Sequence, residues 1–423
     1  MSSESETRHL YGRAIGMGLA GLAGLATQGV LPATVDASPG VGGWDLKTNK
    51  KARYDAPDMG SAYKFGVSVG IGDLDADNDG TPDMFLSSVG GDDGAMSFMK
   101  FDGLSLAVHK HFRPRVMESS VDTRVAAADL DRDGRMDLIT CAGEGASSSV
   151  SVISVDSLSS VQGPLAGMPA FSHKLTNGVY VATGDVDGDD FSECFVSSSA
   201  SFDDQSGLPL SPSSVRQVTV ENAPPGHDGQ LTAHEKFRNE LFAYGTSYTG
   251  GIRVAVGDVD GDGHAEVATL NESGASRTVI FHKHEMGPNG VDTLSPTSEL
   301  ELSSTLPDGA SCSIAVGDID GDGFDDLAVG AAMGEAPLVR LYSWEPPQLP
   351  LGPEGTPQGT WILTDSFEVY DSSYLGGVNV GLTDFTGDGL ADLVFSQAFL
   401  VPEPTTAALV CGAALFAGRR RRR

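Results

Sequence analysis

Positive charge is scarce in this chain. Against 58 Asp and Glu stand 27 Lys and Arg, a formal net charge of −31 over 423 residues. Such a surface repels the phosphates of nucleic acid, which is excluded as a partner. Cysteine is scarce as well. Of the four present, Cys411 lies in the C-terminal tail, while Cys141, Cys194 and Cys312 form an odd set without regular spacing. Buried thiols are the expectation, with one disulfide as the alternative. Missing too are the marks of catalysis: no nucleophile elbow, no paired acids outside the loops described below and no phosphate-cradling glycine loop is read. No catalytic residue is assigned.

What the chain has in abundance is aspartate in short glycine-rich loops. The fullest is Gly317-Asp318-Ile319-Asp320-Gly321-Asp322-Gly323-Phe324-Asp325-Asp326. Asp318, Asp320, Asp322 and Asp326 hold positions 1, 3, 5 and 9, a spacing that turns alternate side chains toward one point while the glycine at position 6 takes the positive φ of a sharp turn. Four carboxylates so placed repel one another unless a hard cation joins them, and an all-oxygen set suits Ca2+. The position-12 Glu of an EF-hand is missing. The flanks, Ser313-Ile314-Ala315-Val316 and Leu327-Ala328-Val329-Gly330, are short and β-branched, so the loop is expected to join two strands in a hairpin.

The unit recurs six times, at intervals of about 54 to 73 residues, which makes the chain a repeat array. The first copy uses Asp75, Asp77, Asp79, Gly80 and Asp83, with Asp73 as an extra acid upstream. The second uses Asp129, Asp131, Asp133, Gly134 and Asp137. The third uses Asp185, Asp187, Asp189 and Glu193, with Asp190 where glycine is expected, and so predicts the poorest hairpin. The fourth has Asp258, Asp260, Asp262, Gly263 and Glu266; the fifth is the loop above; the sixth has Asp384, Thr386, Asp388, Gly389 and Asp392. With three carboxylates, the sixth is expected to bind Ca2+ most weakly.

Two further strands follow each hairpin before the next copy begins. After the first loop they are Phe98 to Phe101 and Ala107 to His109; later third strands are Val150 to Ile153, Val215 to Val220, Thr278 to Phe281 and Leu338 to Tyr342. Four antiparallel strands per repeat are the blades of a β-propeller, so the fold class is all-β. The sixth copy supplies only Val378-Asn379-Val380 and Leu393-Val394-Phe395. Gly43 to Leu46 and Ala52 to Tyr54 near the N-terminus are expected to complete it and close six blades into a ring. Gly207 to Ser214, Pro224 to Gly229, Gly287 to Ser303 and Pro346 to Gly359, rich in Pro, Gly and Ser, read as surface loops that would carry recognition.

With these loops and their flanks, Phe65-Gly66-Val67-Ser68-Val69-Gly70, Gly250-Gly251-Ile252-Arg253-Val254-Ala255-Val256-Gly257-Asp258 and Val329-Gly330-Ala331, the chain resembles the FG-GAP/VCBS repeat family. Its calcium-bearing blades also build the head of integrin α-chains. The resemblance covers roughly residues 43 to 398. No full Gly-Ala-Pro triplet occurs, so the likeness is to the broad bacterial family.

The ends read differently from the array of residues 38 to 398. Residues 1 to 37 read as an export signal, with Arg8 and Arg13 before a Gly/Ala/Leu-rich run and Val35-Asp36-Ala37 as a cleavage site. Glu4, Glu6 and the glycines leave a disordered leader as the alternative. Residues 399 to 423 carry Val401-Pro402-Glu403-Pro404, the apolar stretch Thr405 to Gly418 and Arg419 to Arg423. This tail resembles a PEP-CTERM sorting signal, which implies an exosortase-type processing enzyme as partner and transient membrane contact through the tail. The terminal arginines would hold it on the cytoplasmic side. The apolar stretch is shorter than the roughly 20 residues of a spanning helix, against a permanent anchor.

Histidines pair in His109-Lys110-His111 and His282-Lys283-His284. Without an evident third ligand they are expected to be exposed outer-strand residues rather than zinc ligands. Together these readings predict an exported, monomeric calcium-binding propeller that serves as a non-enzymatic adhesion or interaction module for an extracellular protein or polysaccharide. A secreted polysaccharide-active enzyme or a lectin is the alternative.

Overall fold

The computed structural model describes residues 40–47, 50–55, 67–72, 83–88, 96–102, 105–112, 123–129, 136–143, 148–154, 162–171, 178–189, 192–200, 211–218, 221–222, 231–232, 237–274, 276–286, 292–302, 312–346 and 359–398. All regular structure among them is β. The N-terminal strands are β1 (Gly40–Asp45) and β2 (Lys50–Asp55). The first repeat forms β3 (Val67–Gly72), β4 (Asp83–Ser88), β5 (Met96–Asp102) and β6 (Ser105–Phe112). The second forms β7 (Thr123–Ala128), β8 (Asp137–Ala142), β9 (Ser149–Ser154) and β10 (Gln162–Pro169).

The third repeat forms β11 (Val179–Gly184), β12 (Glu193–Ser198), β13 (Val215–Val218), the small hairpin of β14 (Glu221–Asn222) and β15 (Leu231–Thr232), and β16 (Phe237–Leu241). In the fourth are β17 (Ile252–Gly257), β18 (Glu266–Asn271), β19 (Thr278–Met286) and β20 (Asp292–Glu301). The fifth holds β21 (Ser313–Gly317), β22 (Asp326–Gly330), β23 (Leu338–Glu345) and β24 (Thr360–Glu368), and the sixth β25 (Val378–Thr383) and β26 (Asp392–Gln397).

Each repeat from the first to the fifth is an antiparallel sheet of four strands in chain order, β14 and β15 standing apart in the third. The remaining sheet runs β2-β1-β26-β25, with Val41 opposite Ser396 and Trp44 opposite Leu393. The expected N-terminal strands therefore lie where the sixth repeat lacks its own. First strands touch in sequence, β3 to β7, β7 to β11, β11 to β17, β17 to β21, β21 to β25 and β25 to β3.

Burial follows from this stacking. The second strands β8, β18, β22 and β26 are buried at every position, because a neighbouring sheet covers each face, and their sequences are accordingly apolar runs rather than alternations. Between the fourth and fifth sheets Phe281 stacks on Trp361 with centroids 4.6 Å apart, and within the fifth Trp344 tilts against Trp361 at 5.2 Å, pairs that add specific geometry to plain area burial. Trp44 of β1 meets Phe367 of β24 edge-on at 4.2 Å, tying the N-terminal strand to the sheet before it.

Three sequence expectations change. Gly287 to Ser303, read as a loop, is largely β20. Asp190 does not spoil the third hairpin, since β11 and β12 pair from Val179–Ser198 through Gly184–Glu193. His282 is not an exposed outer-strand residue: it is 2% exposed, its Nε2 3.2 Å from the Thr269 hydroxyl.

Candidate metal centre

The third to sixth acidic loops are each wound around their first aspartate. In the fourth loop, Oδ1 of Asp258 accepts from the amides of Gly261 and Asp262 at 2.8 and 3.1 Å, and Oδ2 from Gly263 at 2.8 Å. The sixth repeats this with Asp384 and the amides of Gly387, Asp388 and Gly389. In the fifth, Asp318 takes Gly321 and Gly323, and in the third Asp185 takes Gly188 and Asp189. The position-9 acid anchors the other end: Glu193, Glu266, Asp326 and Asp392 accept from the amides of Val186, Val259, Ile319 and Phe385. These bonds satisfy backbone donors that a tight turn would otherwise orphan.

Glycine takes positive φ at two places in the described loops. Position 6 takes φ of 86°, 85° and 84° at Gly263, Gly323 and Gly389, as the spacing predicts. Position 4 also takes positive φ, 75° at Gly188, 70° at Gly261, 78° at Gly321 and 72° at Gly387. The aspartate pattern does not imply this second turn, although glycine stands at position 4 in the third to sixth copies.

Carboxylate oxygens within 4.8 Å of one another come together in three loops: Asp185, Asp187 and Glu193; Asp258, Asp260 and Asp262; Asp318, Asp320 and Asp326. Asp189, Glu266 and Asp322 stand outside these trios, and Asp384, Thr386, Asp388 and Asp392 form none. Of the second loop, Asp129 and Asp137 are described and Asp137 is buried; Asp131 and Asp133 lie outside the described residues. So do Asp75, Asp77 and Asp79 of the first, and only the backbone of Asp83 is described, at the start of β4.

The trios fit a hard cation. Burial pushes Glu193 up to about 7 with Asp187 adding to it, Glu266 up to about 8 with Asp260 adding, and Asp326 up to about 7. Oδ1 of Asp260 and Oε1 of Glu266 are buried without a hydrogen-bond partner. Ionised oxygens gathered this way need compensating charge. In the fourth loop a lysine already lies there: Lys283 Nζ is 2.7 Å from Oδ2 of Asp260, bonds Asp262, and is 3.6 Å from Oε1 of Glu266. In the sixth, Lys47 Nζ sits 2.9 Å from Asp388.

Neighbouring loops are clasped to one another. The amide at position 8 donates to the carbonyl of the first aspartate in the preceding loop: Ala265 to Asp185 at 2.7 Å, Asp325 to Asp258 at 2.8 Å and Ala391 to Asp318 at 2.6 Å. Gly257 allows this approach in the fourth sheet, for a Cβ there would stand 2.4 Å from Val316 and 2.5 Å from the Asp325 carboxylate. No sequence motif announced these bonds.

Elsewhere, Cys141, Cys194 and Cys312 are buried and form no disulfide. Gly66-Val67-Ser68-Val69-Gly70 does spell Gly-x-Ser-x-Gly, contrary to the expectation of no such signature. Ser68 lies within β3 opposite Ser87, not on the strand-to-helix turn a nucleophile elbow needs. On the first strands of three successive sheets, the guanidinium groups of Arg124 and Arg253 lie 3.7 and 3.9 Å from the Tyr180 ring centroid. The Tyr180 hydroxyl and Arg253 both bond Glu272, at 2.7 and 2.9 Å. Among the described residues no helix is long and apolar enough to cross a membrane.

The family model for the FG-GAP repeat matches residues 313–338, and that for the FG-GAP-like repeat matches residues 75–140. The chain therefore carries FG-GAP repeats in the first to second and in the fifth acidic units. No curated protein matches. Among solved structures, the chain is similar to a functionally unknown protein from Desulfotomaculum acetoxidans DSM 771, at 14% identity over 80% of this chain and 83% of that one, TM-score 0.41. It is similar to the exotype rhamnogalacturonan lyase YesX at 14% identity over 73% of this chain, TM-score 0.32, and spans 64% of that chain. For the Bacillus licheniformis rhamnogalacturonan lyase PL11 the values are 13%, 78% of this chain, 73% of that chain and 0.34.

Proposed function

We propose that this FG-GAP repeat chain is an exported, calcium-stabilised six-bladed propeller that works as a non-enzymatic adhesion or interaction module at the cell surface or in the extracellular polymer. The observation that carries the reading is the repeated loop: four described copies wind on the same aspartate, and three gather carboxylate oxygens within 4.8 Å. Asp318, Asp320 and Asp326, with Asp185, Asp187 and Glu193, would hold Ca2+, which supplies the missing positive charge. Such loops fill most readily outside the cytosol, in keeping with the export signal. The Pro402-Glu403-Pro404 tail would bring the chain to an exosortase-type enzyme, with transient membrane contact. The tail-less protein, used to pull down its own extracellular matrix with and without Ca2+, should retain a polysaccharide or protein only with the metal. Equal retention after chelation would overturn the reading.

A second reading, a lectin or polysaccharide-active enzyme, is favoured by the Arg124–Tyr180–Arg253 stack. In a chain short of positive charge, two arginines on the first strands either side of β11 would attract acidic sugars. Selective binding to acidic over neutral polysaccharide, lost in Arg253→Gln, would support it; turnover would make it an enzyme.

A further inference from the structure

The fourth acidic loop differs from the fifth in the strand that faces it. Val267 of β18 pairs with His282 of β19, so the next residue of the third strand, Lys283, comes beside the position-9 acid, Glu266. The same step in the fifth sheet, from the Leu327–Tyr342 pair, gives Ser343, whose hydroxyl bonds Asp326. In the second sheet, from the Leu138–Ile153 pair, it gives Ser154, whereas in the first, from Met84–Met99, it gives a lysine, Lys100. A hydroxyl leaves a loop's acids short of charge. A lysine does not.

The contacts of Lys283 take in three of the loop's four acids: Asp260 at 2.7 Å, Asp262 through a hydrogen bond, and Glu266 at 3.6 Å. Glu266 is 1% exposed, and its Oε1, with no hydrogen-bond partner of its own, is the atom that faces the ammonium. We propose that Lys283 is the resident cation of the fourth loop, which therefore stays free of divalent metal at Ca2+ concentrations that fill the third and fifth. The inference rests on reading the acidic loops as calcium sites. A tethered ammonium competes at high effective concentration and loses no translational freedom on occupying the site. A calcium ion entering here must first displace it, stranding a lysine among carboxylates that the ion already claims. A full set of four acids thus does not by itself make the fourth loop open to metal.

Calcium stoichiometry on the full chain, by equilibrium dialysis and calorimetry, tests this. Lys283→Ser, which installs the residue of the fifth sheet, should bind one more Ca2+ per chain than the wild type, and adding Asp260→Asn should remove the gain. Asp260→Asn alone should leave the count unchanged. A loss of one ion from Asp260→Asn alone, or no gain in a folded Lys283→Ser chain that binds calcium, would overturn the proposal. Melting in excess chelator provides a second readout that needs no metal site. Lys283→Ser should melt below the wild type, with part of the loss restored by Asp262→Asn, because unpaired acids then face one another. If neither chain binds Ca2+, the calcium reading of the loops fails by itself. Equal melting of the two in chelator would sink the resident lysine.

Discussion

Asp258 and Asp325 bond each other twice across two sheets: the Asp325 amide donates to the Asp258 carbonyl, and the Asp258 amide donates to Oδ2 of Asp325, both at 2.8 Å. In the other described clasps position 8 is alanine, Ala265 or Ala391, and only the backbone bond is made. Asp325 is not in the carboxylate trio of its own loop. Its carboxyl, pushed by burial up to about 6, holds the preceding loop instead.

Asp325→Ala should therefore destabilise the fold by about 1–3 kcal/mol, because the Asp258 amide loses its acceptor in a half-buried site. Asp325→Asn keeps a carbonyl oxygen and should cost less. Urea unfolding of both variants measures the difference, and equal stability for Asp325→Ala and the wild type would remove the clasp from the account.

Chelation should lower the melting temperature of the whole chain, since each ion bound only by the native state adds stability by mass action. Among single sites, Asp318→Ala should lose more metal and more stability than Thr386→Ala. The aspartate caps two amides and joins a trio, whereas the Thr386 side chain contacts Asp384 at 3.5 Å and bonds Asp388 without joining a trio. Metal analysis paired with scanning calorimetry decides the ranking.

Acid should weaken the fold through His282. Burial lowers its folded pKa to about 4, against an ordinary value near 6.5. Between those values the unfolded chain binds a proton that the folded one refuses, so this contribution to stability is present above about pH 6.5 and is lost as pH falls toward about 4. His282→Phe should flatten that part of the stability profile. An unchanged slope would assign the acid sensitivity to other groups.

Deleting residues 38 to 58 removes β1 and β2 and leaves β26 with an unpaired edge, which invites pairing with other chains. The expected outcome is aggregation, visible by light scattering. A monomeric deletion variant with native stability would mean the array stands without its N-terminal strands.

The hairpin loops were legible because aspartates at alternate positions followed by glycine leave the backbone few choices. Gly323 and its equivalents took the predicted φ. The third hairpin pairs fully despite Asp190 because position 6 is only one of two turning points, and Gly188 supplies the other. β20 was hidden by Pro296 among Ser and Thr, residues that suit the outermost strand of a sheet, where a missing amide costs little. Lys283 could not be assigned to the fourth loop from sequence, because its place depends on the β18–β19 register rather than on spacing along the chain. The loop-to-loop clasps are backbone bonds and leave no mark in side-chain composition.

Trp44 faces Leu393 across the β1–β26 pair, so the first and last described strands are partners. Every other four-stranded sheet can assemble from hairpins that close over short stretches of chain. The seam must wait until nearly the whole array has been brought together, and contacts of such long sequence separation form slowly because loop closure precedes any reward. Folding of this chain is thus paced by one strand pair. Until that pair forms, the edges of β26 and of β1 are open together, and the interval between synthesis and closure is the period in which chaperones, membrane or neighbouring chains have access to them.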